Sequence, residues 1–184
     1  MQNITGGNVL LDVDFILKKA QIRDGMKVAD LGCGISGHFI FPAAMSVGKR
    51  GVVYAVDILK TILETINRRI RQDNIQNIKT IWSDLEVFNA TKIESGSLDV
   101  ALLINILYQS HKRAEILRET MRMLKKGGVL MVVEWKNTAS PIGPPAEERV
   151  KADLLKAGSK KMGFKVEDEF EAGKYHFGVL LEKM

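Results

Sequence analysis

With only one cysteine, Cys33, the 184-residue chain can form no internal disulfide and no cysteine-based metal cluster, and no metal site is expected. Nor does any stretch approach the roughly 18 uninterrupted apolar residues of a membrane helix. The first residues, MQNITGGNVLLDVDF, lack a basic leader, and Asp12 and Asp14 interrupt their apolar run, so no secretory signal is read there. A reducing cytoplasm is the expected setting. The glycosylation-type matches Asn3-Ile4-Thr5 and Asn89-Ala90-Thr91 carry no meaning in it. Repeats and low-complexity tracts are absent too. What remains is a globular balance, 46% apolar and 27% charged, in a chain of one-domain size, so residues 1–184 are read as a single domain. Lys and Arg exceed Asp and Glu by 27 to 22. That excess suits an acidic partner such as RNA, a nucleotide or an anionic membrane surface. It suits equally well the solvated helix faces on which Arg68, Arg69, Arg71, Lys125 and Lys126 are expected.

Short, almost unbroken apolar runs recur along the chain: Val28 to Leu31, Val52 to Val56, Ile78 to Trp82, Leu98 to Ile104 and Val129 to Val133. Such runs suit strands buried on both faces of a parallel sheet. Helical spacing lies between them, in Ile62, Leu63, Ile66 and Ile70, and again in Ala114, Leu117, Met121 and Leu124. Gly127-Gly128 is expected to stop the second of these helices. Alternating strand and helix makes βαβ units, hence a doubly wound, Rossmann-like α/β fold. Phe164 to Phe170 and Tyr175 to Leu181 read as two strands joined by Glu171 to Lys174. A connection that short allows a hairpin and forbids a parallel crossover. The mostly parallel sheet should therefore end in an antiparallel strand. Val9, Leu10, Phe15 and Ile16 read as helical cover for the sheet or the cleft.

The most informative segment is VADLGCGISG, residues 28–37. A strand ends at Leu31, then Gly32, Gly34 and Gly37 follow, and a helix begins near His38. Glycines there let the backbone turn tightly and approach a ligand, and the helix N-terminus presents free N–H groups. The spacing also fits the dinucleotide pattern of nicotinamide-dependent oxidoreductases, and a plain strand-to-helix turn would look similar. Asp30 separates these readings. A carboxylate inside the strand end repels a pyrophosphate and suits a cationic group such as an ammonium. Asp57 ends the second strand, where a carboxylate accepts bonds from both ribose hydroxyls. Asp84 follows the third strand, where it can accept a bond from an exocyclic amine. As a set at one sheet edge they say more than any of them alone as a helix cap.

These pieces resemble the class I S-adenosylmethionine (SAM)-dependent methyltransferases over nearly the whole chain. The matching segments are Asp30-Leu31-Gly32-Cys33-Gly34, Tyr54-Ala55-Val56-Asp57, Ser83-Asp84, Ser97-Leu98-Asp99-Val100, and Leu124 to Gly128 before a strand. The likeness is greatest to the small type 11 enzymes related to quinone biosynthesis. It implies a seven-stranded sheet with an antiparallel last strand, and SAM as cofactor. It implies Gly32 and Gly34 along the amino-acid part of SAM, Asp57 at the ribose, and Asp84 with the Leu85 backbone at adenine; Asp30, Cys33, Ile58 and Asn105, the last near the transferred methyl, complete the cofactor-binding candidates. One departure stands out. Many relatives read Asp-x-Gly-x-Gly-x-Gly, whereas here Ser36 precedes Gly37. Either Ser36 replaces the third glycine or the loop is longer by one residue.

Methyl transfer from a sulfonium needs orientation more than a dedicated base. Tyr108, His111 and Trp135, which follow the fourth and fifth strands, are the acceptor-side candidates, with His111 a candidate base. The plain alternatives are a surface histidine opening a helix and a packing tryptophan after Glu134. Asn105-Ile106-Leu107-Tyr108 shares only its ends with the Asn-Pro-Pro-Tyr motif of nucleic-acid amino methyltransferases. A small-molecule acceptor is favoured, with RNA or protein, or a SAM-binding protein without catalysis, as the other readings. The lone cysteine argues against the cysteine-dependent arsenic methyltransferases.

Overall fold

The computed structural model describes residues 10–184; Val9 and the Asn3-Ile4-Thr5 match lie outside them. The elements run α1 (Val13–Lys19), β1 (Lys27–Leu31), α2 (Ile40–Val47), β2 (Val52–Asp57), α3 (Lys60–Gln72), β3 (Ile78–Trp82), β4 (Leu98–Ile104), a 3-10 turn (Leu107–Gln109), α4 (Arg113–Met123), β5 (Leu124–Trp135), α5 (Ala152–Met162), β6 (Phe164–Gly173) and β7 (His176–Lys183). The seven strands form one sheet in the order β3-β2-β1-β4-β5-β7-β6. The first five are mutually parallel, and β7 is antiparallel to both of its neighbours.

The apolar runs are explained by the two faces they must satisfy. Val28, Val53, Val100, Met131 and Val133 join a core under α1, α2 and α3. Ala29, Leu31, Ala101, Leu103 and Val132 join a second core under α4 and α5. In these central strands neither face meets water, so a polar residue has no favourable place inside them until they reach the sheet edge; the outer strand β3 exposes Lys79 and Trp82. The outer strand β6 alternates buried and exposed residues instead, and carries Lys165, Glu167 and Glu169, which discourage pairing with another sheet edge. α1 docks against β6. Asp12 caps the helix by accepting from Phe15 N at 3.0 Å. Phe15 meets Phe170 edge-on at 5.6 Å, and Lys19 pairs with Asp168 at 2.6 Å.

Three boundaries differ from expectation. The helix read as stopping at Gly127-Gly128 ends at Met123, because Leu124 pairs with Leu98 and already belongs to β5. The terminal carbonyls there are satisfied from far along the chain: Lys183 Nζ donates to Met121 O at 2.8 Å and Leu124 O at 2.7 Å. The hairpin turn is Lys174-Tyr175, and β6 continues through Gly173. A Cβ at Gly173 would lie 2.4 Å from Leu10 O, so the crossing N-terminal segment requires glycine. By sequence, Ile142 to Pro145 read as a turn with Pro145 near the first turn of the next helix, but that helix starts at Ala152. Residues 137–150 instead form an irregular loop tied by buried Arg149, which donates to the carbonyls of Lys136, Thr138 and Pro144 at 2.6–2.9 Å.

Candidate functional site

Strand order reverses beside β1, which lies between β2 and β4. Loops leaving neighbouring strands diverge at such a point and open a crevice at the carboxyl edge. The glycine loop sits there. Gly32, Gly34 and Gly37 have φ of +84°, +64° and +58°, a region where a Cβ is strained. Gly32 N and Cys33 N donate to Val56 O at 2.8 and 3.0 Å, which binds the loop to β2. A Cβ at Gly32 would reach Ile106 Cδ1 at 2.2 Å, so this glycine is closed in by protein. A Cβ at Gly34 would meet nothing within 4 Å, so it faces open space. α2 begins at Ile40, two residues beyond the expected start.

The cleft beside this loop measures about 330 Å³, within the range of small-ligand sites. Gly32, Gly34, Asp57, Ile58, Asp84 and Leu85 all line it. Six of the residues read from the sequence thus share one cavity. Ser83, from the same matching segment as Asp84, lines it too, whereas Leu59, Glu86, Gln109, Ser110 and Ile116 carried no sequence signal, because loops, a 3-10 turn and a helix face bring them there. A larger depression of about 510 Å³ lies within the 137–146 loop. It contains no carboxylate and shares no residue with the glycine-loop cleft.

Asp57 is buried, and both of its oxygens are engaged by the backbone. Oδ2 accepts from Gly34 N at 3.2 Å and Oδ1 from Leu59 N at 2.9 Å. Each oxygen keeps a further lone pair for a ligand hydroxyl. Trp82 Nε1 donates to Ile58 O at 2.8 Å, which steadies the segment after Asp57. Asp84 Oδ1 accepts from Glu86 N at 2.9 Å. Glu86 takes Ser110 Oγ–H at 2.6 Å, and that bond holds its carboxyl below the usual range.

Asp30 is different. It is 3% exposed, and Oδ2 has no hydrogen-bond partner. Burial, and then the charge of Asp57, push its pKa up to about 7. The same burial, followed by Asp30 and Asp57, drives the Cys33 thiol well above its ordinary value, so Cys33 is a poor nucleophile. An unpartnered buried carboxylate costs stability unless a cation completes it. Asn105 stands at the end of β4 with φ +57°, its N–H on Val133 O at 2.8 Å and its Oδ1 buried without a partner.

The acceptor-side candidates are spread out. Tyr108 is half-buried on the 3-10 turn and packs against the second core. Burial, then Glu134 and Glu148, raise its pKa. His111 is exposed just before α4. Trp135 is buried, with its ring 4.2 Å from that of His176 and the backbone of Gly143 against it. Glu134 is the residue that sequence reasoning undervalued. It is fully buried, and Oε1 accepts Leu107 N–H at 2.6 Å, which anchors the turn bearing Tyr108. Burial raises its pKa to about 7 against the opposing backbone bonds.

The fold and this rim of glycines and carboxylates define a doubly wound α/β domain built to hold a cofactor at its switch point. Residues 22–174 match the family model described as a methyltransferase domain, and the chain belongs to that family. It is 29% identical over 132 residues to a demethylmenaquinone methyltransferase of Lactococcus lactis, covering 72% of this chain and 51% of that protein. It is 30% identical to a ubiquinone/menaquinone biosynthesis C-methyltransferase of Bordetella parapertussis, covering 71% of this chain and 48% of that one. The chain thus spans about half the length of these curated relatives. In fold it is similar to a SAM-dependent methyltransferase from Aquifex aeolicus, with TM-score 0.88 and 23% identity over 98% of this chain and 94% of that one. None of the helices among the described residues is long and apolar enough to cross a membrane.

Proposed function

We propose that the chain is a single-domain, cytoplasmic methyltransferase that takes its methyl group from SAM and delivers it to a small-molecule acceptor. The observation that carries this reading is the unpartnered, buried Asp30 carboxylate beside the glycine loop. An α-ammonium group is the cation that suits it, whereas the pyrophosphate of a nicotinamide cofactor would be repelled. The backbone of Gly32, Cys33 and Gly34 would hold the rest of the methionine part. The free lone pairs of Asp57, with Ile58 beside them, would take the ribose hydroxyls. Asp84 and the Leu85 backbone would hold adenine, and Asn105 would border the methyl group. Tyr108, His111 and Trp135 would shape the acceptor side. Bound there, SAM supplies a sulfonium methyl open to in-line displacement, and orientation alone contributes about 7–11 kcal/mol of the barrier. The names of the quinone-biosynthesis relatives support a small-molecule acceptor.

Asp30 gives this reading a pH signature. With a pKa of about 7, its carboxyl is largely protonated at pH 6 and ionised at pH 8. The ammonium pairs only with the ionised form, so below pH 7 binding must first expel a proton. Calorimetric titration should find SAM bound about five- to tenfold more weakly at pH 6 than at pH 8. Asp30→Asn should bind weakly at both and lose the dependence. A flat wild-type profile, or wild-type affinity in Asp30→Asn, removes Asp30 from the site. Transfer itself is read by incubating the protein with methyl-labelled SAM and fractionated cell extract. Label is expected in a low-molecular-weight fraction, and incorporation only into RNA or protein overturns the small-molecule assignment.

A further inference from the structure

A separate cavity of about 300 Å³ lies between α4, α5 and the segment leading into α5. Its size is at the small end of ligand pockets, and it shares no residue with the cofactor cleft. Leu107, Leu117, Leu155 and Met162 give it apolar walls. Three cations, Arg113, Arg149 and Lys151, line it as well, with one anion, the exposed Glu147. We propose that this cavity is a second ligand site, which takes a small apolar carboxylate. The proposal does not depend on the methyltransferase reading.

Charge is the first observation. Both guanidiniums are held by main-chain carbonyls. Arg113 donates from Nε to Leu107 O and Ser110 O and from Nη2 to Glu148 O, at 2.6–3.1 Å. Arg149 donates from Nε and Nη1 to the carbonyls of Pro144, Lys136 and Thr138. Arg113 Nη1 and Arg149 Nη2 take part in none of these bonds. Neither arginine forms an ion pair among the described residues. Glu134 feels the charge of Arg113, but its carboxyl is engaged by Leu107 N–H. Arg149 is only 7% exposed. Carbonyl dipoles fix such a group in place without cancelling its charge, and a buried cation lacking a counter-ion costs stability. A carboxylate is the planar complement of a guanidinium fork.

The second observation is a missing side chain. Gly158 lies inside α5, where glycine is the least favourable residue after proline. A Cβ there would meet no atom within 4 Å, so nothing in the protein's packing demands glycine. Leu154, Gly158 and Met162 recur every four residues along one helix face, and all three line the cavity. A side chain at 158 would therefore grow into it. Glycine leaves room that the chain itself does not use, and the hydrocarbon part of a ligand fits there. The site lies off the methyl path. Ile106 and Ile116 line the cofactor cleft, whereas their neighbours Leu107 and Leu117 line this cavity, so the turn after β4 and α4 separate the two.

Octanoate, octanol and octylamine share a chain length and differ in charge, and each is titrated into the full chain by calorimetry. Octanoate should bind about tenfold or more tightly than octanol, and octylamine more weakly still. The methyl NMR signal of Met162, identified by its loss in Met162→Leu, should move as octanoate is added. Gly158→Leu should fill the cavity and weaken octanoate binding by about tenfold or more. Gly158→Ala, a smaller intrusion that favours the helix, should give a smaller loss with a melting temperature at or above that of wild type. Octylamine binding as tightly as octanoate overturns the proposal. So does wild-type octanoate affinity in both Gly158 variants, or a Met162 signal that stays fixed at millimolar octanoate.

Discussion

Gly34→Val should abolish SAM binding, weakening it at least about a hundredfold, or ~2.7 kcal/mol, while the protein stays folded. Gly34 has φ +64°, where a β-branched side chain is a steric outlier. Relief of that strain pulls its N–H off Asp57 Oδ2, now 3.2 Å away, and so disturbs the ribose-binding carboxylate as well. Whatever conformation results, the new side chain enters the open space that a Cβ at this position faces. Gly32 differs, since its missing Cβ is demanded by Ile106, a protein neighbour, rather than by a ligand. Calorimetric titration with SAM, together with far-ultraviolet circular dichroism, reads the outcome. Normal binding by a folded Gly34→Val protein would mean that the loop does not cradle the cofactor.

The largest loss of stability is expected from Glu119→Ala. Glu119 is 0% exposed and joins two parts of the chain. Its oxygens accept Asn89 N at 2.7 Å and Thr91 N at 3.0 Å, and they receive Arg122 in a two-pronged pair at 2.9 and 2.8 Å. Burial opposes ionisation here, but the bonds from Arg122, Asn89 and Thr91 outweigh it and keep the carboxyl below its ordinary pKa. Alanine would strand a largely buried guanidinium and two backbone donors. Removing one partner of such a pair costs about 3–5 kcal/mol. In a domain of this size that is a fall of about 10 °C or more in melting temperature. The loss should also loosen the segment after β3 that carries Asp84. A melting temperature within about 2 °C of wild type would show that the network contributes little.

The α/β class, the five parallel strands and the closing hairpin were legible from local pattern. Strands buried on both faces tolerate almost no polar residue, so their apolar runs mark their own ends. A glycine loop bounded by Asp30, with Asp57 and Asp84 one and two strands further along the chain, is likewise written in short local segments. Each side chain sits at a strand end, and every parallel strand of such a sheet ends at the same edge. The shared cleft of Gly32, Gly34, Asp57 and Asp84 therefore followed from counting strands.

What local pattern did not contain were the partners that arrive from elsewhere. Leu124 fits the spacing of α4, and only its pairing with Leu98 and the Lys183 ammonium on the helix's last carbonyls make it the start of β5. Glu134 shows no partner in local pattern; the turn after β4 brings the Leu107 N–H to it. Tyr108, His111 and Trp135 all follow strand ends, yet Tyr108 packs with the second core while Trp135 lies against His176. Sequence alone determined the parallel strands and the cofactor edge, because strand period, burial on two faces and glycine stereochemistry act between neighbouring residues. Insertion of β7 between β5 and β6, and with it the burial of His176 beside Trp135, was decided by tertiary structure. Hydrogen-bond pairing between strands sets neighbours across the sheet without regard to their distance along the chain.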